Sequence, residues 1–115
     1  MSRLDHILDE IYGVDQEELI DNFINIGIKV CEVSHECEID VRYNADRLPK
    51  DPYANYLVAQ LQGFRIKLAS IERTISSSEE VGEPMYRQKD LSGLKLRVQN
   101  LIMSISTTFK EFGVE

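Results

Sequence analysis

The chain has 115 residues, of which 43% are hydrophobic and 29% are charged, and its formal net charge is −7 at pH 7. This composition is typical of a folded protein and excludes an intrinsically disordered one, and no apolar run approaches the roughly 18 residues of a membrane span. The length favours a single helical domain, residues 1–115, with no membrane contact. Because the N-terminus has no basic segment followed by an apolar core, we expect a cytoplasmic protein with reduced thiols.

The charge is distributed unevenly along the chain. Residues 1–40 contain eleven acids and two bases, a net charge of −9, whereas residues 41–115 contain nine acids and eleven bases, a net charge of +2. The overall acidity argues against broad electrostatic binding to nucleic acid. It leaves open a local basic face in the C-terminal part, or an acidic N-terminal part that pairs with that face.

Two helices are predicted in the N-terminal part. The first is a short amphipathic helix over residues 2–12, which Gly13 would stop. The second covers about residues 15–40 and begins at Asp15, with acids in its first turn, where the helix dipole favours them. Its predicted apolar seam follows steps of four and three residues: Leu19, Phe23, Ile26, Val30, Val33 and Cys37.

Residues 23–43 also fit a different structure. Apolar side chains alternate there with polar or small ones, which is the pattern of a strand, and residues 34–36 would form the turn of a hairpin. Short hairpin turns depend on Gly, Asn or Asp, and this turn contains none of them, so a helix is favoured. An α+β fold with a hairpin at 23–43 is the lesser alternative.

The central predicted helix covers residues 51–78. Asp51 is a suitable N-cap, and Pro52 occupies the first helical position, where its missing N–H costs nothing. Residues 76–84 combine serine, charge, glycine and proline, which is typical of a connection. The apolar seam of this helix keeps heptad spacing: Leu57, Leu61, Phe64, Leu68, Ile71 and Ile75.

The last predicted helix covers residues 90–112, with Asp90 as its N-cap and Gly113 as its stop. Together the patterns predict an all-α fold, an antiparallel bundle of three long helices plus the short N-terminal one. Because the seams are wide, we expect surplus apolar surface to be buried between subunits of a homo-oligomer. The residues predicted to form the core or the oligomer seam are Leu57, Leu61, Phe64, Leu68, Ile71, Leu94, Val98, Leu101, Ile102 and Ile105.

Motifs for catalysis or for cofactor binding are missing from the sequence. Cys31, His35 and Cys37 form the one cluster of soft metal ligands, but a closed zinc site needs four ligands, so buried thiols are favoured. Glu32 and His35 form a single Glu-x-x-His motif, whereas di-iron bundles use two. Neither a serine nucleophile elbow nor a phosphate-binding glycine pattern occurs. We expect a protein that is not an enzyme and that holds no cofactor or metal.

Six bases of the C-terminal part are candidates for contact with a phosphate backbone. They could equally pair with the acids of residues 5–21 across the bundle or between subunits, and this structural role is favoured. The candidate residues are Arg65, Lys67, Arg87, Lys89, Lys95 and Arg97.

The middle of the chain resembles a known family. A helix, then Asn-Ala-Asp-Arg-Leu-Pro-Lys-Asp-Pro-Tyr at residues 44–53, then a long apolar helix, looks like the central antiparallel hairpin of small terminase subunits from tailed phages. The resemblance covers about residues 15–75. In that family such hairpins build rings that help a packaging motor engage DNA, so the resemblance implies an oligomeric, DNA-associated viral protein.

The function that the sequence favours is that of a non-enzymatic helical assembly factor or adaptor, which self-associates and contacts another protein. The first alternative is an oligomeric nucleic-acid-associated protein, like a small terminase subunit. The second is an acidic inhibitor that mimics nucleic acid, because residues 5–21 carry seven acids.

Overall fold

A computed structural model describes residues 16–80 and 86–114 of the chain. These residues form helices joined by turns, and no strand occurs among them, so the predicted all-α fold is confirmed. The helix predicted over residues 2–12 lies outside the described residues. The described elements are α1 (Gln16–Tyr43), a 3₁₀ turn (Ala45–Arg47), α2 (Pro52–Glu80) and α3 (Gln88–Glu111).

The alternative hairpin at 23–43 is wrong, because this whole segment lies within α1. Cys37 and Val41 are buried, whereas Ile39 and Tyr43 are 52% and 84% exposed. The two buried residues are four positions apart, and so are the two exposed ones, so each pair lies on one side of a helix. Because the two pairs are offset by two residues, apolar side chains occur at every second position, and this is the pattern that a strand would also give.

The three helices pack in an up-down-up arrangement. α2 returns antiparallel to α1 after the short turn, and α3 runs parallel to α1. The first residues of α1 and α3 lie together, since Arg87 binds Asp21, and the last residues lie together, since Arg42 binds Glu111. The bundle is elongated, with extents of 53 × 24 × 18 Å. Among the described residues, no helix combines the length and the apolarity that crossing a membrane requires.

The core is contributed by all three helices, and it runs along the centre of the bundle. Burial of these apolar side chains is the main force that holds the helices together. The core residues are Ile20, Ile24, Cys31, Cys37 and Val41 of α1, Leu57, Val58, Leu61, Leu68 and Ile75 of α2, and Leu91, Leu94, Val98, Ile105 and Phe109 of α3.

The buried side of α1 is rotated relative to the predicted seam. Ile26, which belongs to that seam, is 62% exposed. Several inward positions are occupied by small or polar residues instead, namely Gly27, Ser34 and Glu38. Because these residues carry no hydrophobic signal, counting apolar spacings selected the neighbouring stripe of the helix.

The start of α2 agrees with the prediction. Asp51 Oδ1 accepts a hydrogen bond from the backbone N–H of Tyr53 at 3.0 Å, so Asp51 caps the helix that Pro52 begins. The helix then continues to Glu80, two residues beyond the predicted end. The predicted connection at 76–84 is therefore too long, because its first residues complete the last turns of α2.

The two ends of α3 differ in their agreement with the prediction. The helix begins at Gln88, so Asp90 lies in its first turn and is not the N-cap. At the other end, Gly113 has a φ of +68° and its N–H donates to the carbonyl of Lys110. The N–H of Val114 donates to the carbonyl of Phe109 at 2.9 Å. This pair of bonds is a Schellman motif, which ends the helix at the predicted glycine.

Replacing Gly113 by alanine should lower the free energy of unfolding by about 1 kcal/mol, because a Cβ is strained in the left-handed conformation. Gly63→Ala is the matched control. It lies inside α2 with no atom within 4 Å of the added Cβ, so it should raise stability by up to about 1 kcal/mol. Urea unfolding followed by circular dichroism measures both changes. Equal effects of the two variants would contradict this assignment.

Candidate protein-interaction surfaces

The residues predicted for the core or the oligomer seam pack mainly within one chain. Their side chains belong to the core of the bundle or pack against it, and the large apolar side chains that are more than half exposed are other residues. Six of them are buried, namely Leu57, Leu61, Leu68, Leu94, Val98 and Ile105. Four are half-buried, namely Phe64, Ile71, Leu101 and Ile102.

The two candidate bases of α2 lie on different sides of the helix. Arg65 faces α3, where its guanidinium donates to Ser106 Oγ at 3.3 Å and lies 4.8 Å from the centre of the Phe109 ring. Lys67 is two residues further along, about 200° around the helix, and its Nζ lies 5.6 Å from the centre of the Phe64 ring. The two side chains therefore point to different sides of α2.

The four candidate bases at or near α3 are divided in the same way. Lys95 faces α2 and forms an ion pair with Glu79 at 2.8 Å. Arg97 is exposed and, with Arg87, lines a shallow groove of about 200 Å³ between α1 and α3. Lys89 is exposed in the first turn of α3. The structure thus brings Arg87 and Arg97 together and separates both from Lys95.

Arg87 ties the start of α3 to α1. It lies in the left-handed conformation with a φ of +59°, and it forms ion pairs with Asp21 at 2.7 Å and Asp90 at 2.8 Å. The side-chain hydrogen bond to Asp21, followed by the one to Asp90, raises the pKa of Arg87 above its ordinary value. The charge of Arg87 is therefore neutralised within the chain, which gives this residue a structural role.

The cysteine and histidine cluster does not converge in the structure. Cys31 and Cys37 are buried free thiols, whereas His35 is exposed. Glu32, the other residue of the Glu-x-x-His motif, is exposed as well. Within residues 16–80 and 86–114, no group of three or more His, Cys, Asp or Glu side chains is placed to hold a metal ion.

Both thiols should be slow to react in the native protein. Burial raises the pKa of Cys31 and of Cys37, so the reactive thiolate is scarce at neutral pH. We expect Ellman's reagent to label both residues much more slowly in buffer than in urea. Because the folded state favours the neutral thiol, this contribution to stability is complete below the unfolded pKa, about 8.5, and is lost as the pH rises through the folded pKa. Rapid labelling in buffer would contradict the burial.

The outer side of α1 is acidic. Residues 16–43 contain seven acids and two bases, a net charge of −5. Glu32, Glu36 and Asp40 are exposed and neighbour the exposed side chains of Ile39 and Tyr43 along the helix. We call these five residues the acidic α1 face. It combines negative charge with two large apolar side chains that lack a covering partner in the described part of the chain.

The outer side between α2 and α3 has the opposite character. No acid occurs at residues 52–71 or 91–110. Three large apolar side chains are 59–69% exposed on this side, and two exposed bases accompany them. We call this surface the α2–α3 face, and its residues are Ile66, Leu96, Met103, Arg73 and Lys110.

The geometry of the helices places this face on one side of the bundle. Arg65 and Ser106 meet where α2 contacts α3. Ile66 follows Arg65 and points further outward, and Met103 lies about one turn before Ser106, also rotated outward. Neither residue belongs to a predicted seam. The signal in the sequence for both positions is a large apolar residue outside the heptad spacing.

No protein-family model, curated protein or solved structure matches this chain.

Proposed function

We propose that this protein is a non-enzymatic helical adaptor that self-associates and works through protein–protein contacts. The proposal is carried by the large apolar side chains on the outside of the bundle, each more than half exposed. Grouped apolar side chains rimmed by charged ones are typical of surfaces that bind other proteins. The residues concerned are Ile39, Tyr43, Ile66, Leu96 and Met103.

The shape of the bundle supports an adaptor role. Its length of 53 Å is more than twice either of its other extents. The acidic α1 face and the α2–α3 face lie on different helices of this rod, so one copy can contact two partners at once. Tyr43, which is 84% exposed, adds an aromatic side chain of the kind enriched among the strongest contributors to interfaces.

The proposal includes a cytoplasmic location and a protein that is not an enzyme. Cys31 and Cys37 are free and buried. Free thiols suit a reducing compartment, where disulfides are rare. The described surfaces that stand out present apolar and charged side chains for docking, and this supports a binding role for the protein.

Nucleic-acid association is the second candidate function, and the acid-free outer side of α2 and α3 favours it. The antiparallel pair of α1 and α2 also agrees with the architecture that the resemblance to small terminase subunits implies. Four of the six candidate bases, however, contact groups of their own chain: Arg65, Arg87 and Lys95 through hydrogen bonds or ion pairs, and Lys67 over the Phe64 ring. Self-association therefore has the stronger support.

The test is the native mass measured by light scattering near physiological salt, over a series of protein concentrations. A self-associating adaptor gives a discrete mass that is a multiple of 13.2 kDa. A mass of one chain at every concentration would contradict the proposal. Fluorescence anisotropy with a labelled DNA duplex tests the second candidate. Saturable binding that weakens steeply as salt rises would favour nucleic-acid association instead.

A further inference from the structure

The two outer faces of the bundle are complementary to each other. The acidic α1 face presents three carboxylates beside Ile39 and Tyr43. The α2–α3 face presents Arg73 and Lys110 beside three aliphatic side chains, and no acid occurs in the stretches of α2 and α3 that build its centre. Opposite charges that surround apolar side chains are the arrangement that selects one partner surface over another.

A contact between the same face of two copies is disfavoured. Two acidic α1 faces in contact would place Glu32 and Glu36 of both copies opposite one another. Two α2–α3 faces in contact would do the same for Arg73 and Lys110. Juxtaposed like charges oppose association, whereas contact between the two different faces pairs carboxylates with cations and covers apolar side chains on both partners.

We propose that copies of this protein assemble head-to-tail, with the acidic α1 face of one copy docked on the α2–α3 face of the next. The occupant of each face is thus a second copy of this chain. The inference rests on the proposed self-association and specifies its geometry. A contact between two different surfaces is heterologous, so successive copies form either a closed ring or an open filament.

Two charge-reversal variants test the contact. The first carries Glu32→Lys and Glu36→Lys on the acidic α1 face, and the second carries Arg73→Glu and Lys110→Glu on the α2–α3 face. All four side chains are exposed, so the helical content should stay unchanged by circular dichroism. Each variant alone has two faces of like charge, and light scattering should give the mass of one chain for each.

An equal mixture of the two variants should regain assembly, because every contact between unlike copies again joins opposite charges. A single chain that carries all four substitutions should assemble as the original protein does, since both faces have exchanged sign. Ile26→Asp is the matched control, because Ile26 is 62% exposed on α1 but belongs to neither face. This control should assemble normally, and wild-type assembly should weaken as salt rises.

The results separate this inference from the proposed function. If the original protein has the mass of one chain at every concentration, the proposed self-association itself is wrong. If the original protein assembles and either reversal variant assembles equally well, self-association stands and the head-to-tail contact is wrong. Failure of both the mixture and the fourfold variant to assemble would also overturn the contact, because it would show that the two faces do not bind each other.

Discussion

Replacing Phe109 by alanine should lower the free energy of unfolding by about 3–5 kcal/mol. Phe109 has no exposed surface, and it is among the largest fully buried side chains of the described core. The Arg65 guanidinium covers its ring at 4.8 Å, so truncation removes this contact as well as the apolar packing. A chain of this size has a total stability of roughly 5–15 kcal/mol, and the variant therefore loses a large share of it.

Urea unfolding measures the effect. All variants are compared at the same protein concentration, because association adds to the apparent stability. Phe109→Leu retains most of the buried volume and should cost only about 1–1.5 kcal/mol. Ile26→Ala is the surface control, since Ile26 is 62% exposed and belongs to neither outer face, and it should change stability by less than about 0.5 kcal/mol. A loss for Phe109→Ala no larger than that of the surface control would contradict the position of Phe109 in the core.

Replacing Gly27 by leucine should cost about 2–3 kcal/mol. A Cβ at this position would lie 2.6 Å from Leu94 Cδ2, so α1 and α3 approach each other closely through the absence of a side chain. Leu94 is only 4% exposed and has little room to move away. The higher helix propensity of leucine, worth about 1 kcal/mol relative to glycine, offsets only part of the overpacking.

Gly93→Leu is the matched control for this substitution. Gly93 precedes Leu94 on α3, but an added Cβ there meets no atom within 4 Å, so the same change should raise stability by up to about 1 kcal/mol. Combining Gly27→Leu with Leu94→Ala exchanges the large and the small residue across the contact and should recover part of the loss. Equal effects of Gly27→Leu and Gly93→Leu would exclude a tight contact at Gly27.

The positions of α2 and α3 could be predicted because the apolar residues of these helices coincide with the buried ones. Leu57, Leu61 and Leu68 repeat at heptad spacing and are all buried. In α1 the buried side includes Gly27 and Glu38, which contribute no apolar signal. The existence of α1 could thus be predicted from its periodicity, whereas the side that it buries could not.

The arrangement of the bases could not be predicted, because it depends on which neighbour each side of a helix meets. Arg65 and Lys67 both flank the α2 seam, and a helix in a three-helix bundle packs its two flanks against different surroundings. Lys95 and Arg97 are separated on α3 for the same reason, and Lys95 pairs with Glu79 of α2. Sequence spacing locates residues around one helix, but the partner of each side is decided by tertiary packing.

The elongated form of the bundle has a hydrodynamic consequence. A compact chain of this length has a radius of gyration of about 13 Å, whereas the value here is 17.2 Å. A rod experiences more friction than a sphere of equal mass, and its elution from a gel-filtration column is correspondingly early. Because the long extent is little more than twice the next one, this extra friction is modest, and calibration against spherical standards would assign one copy a mass somewhat above its own. A slightly early elution is therefore the expected behaviour of a single chain.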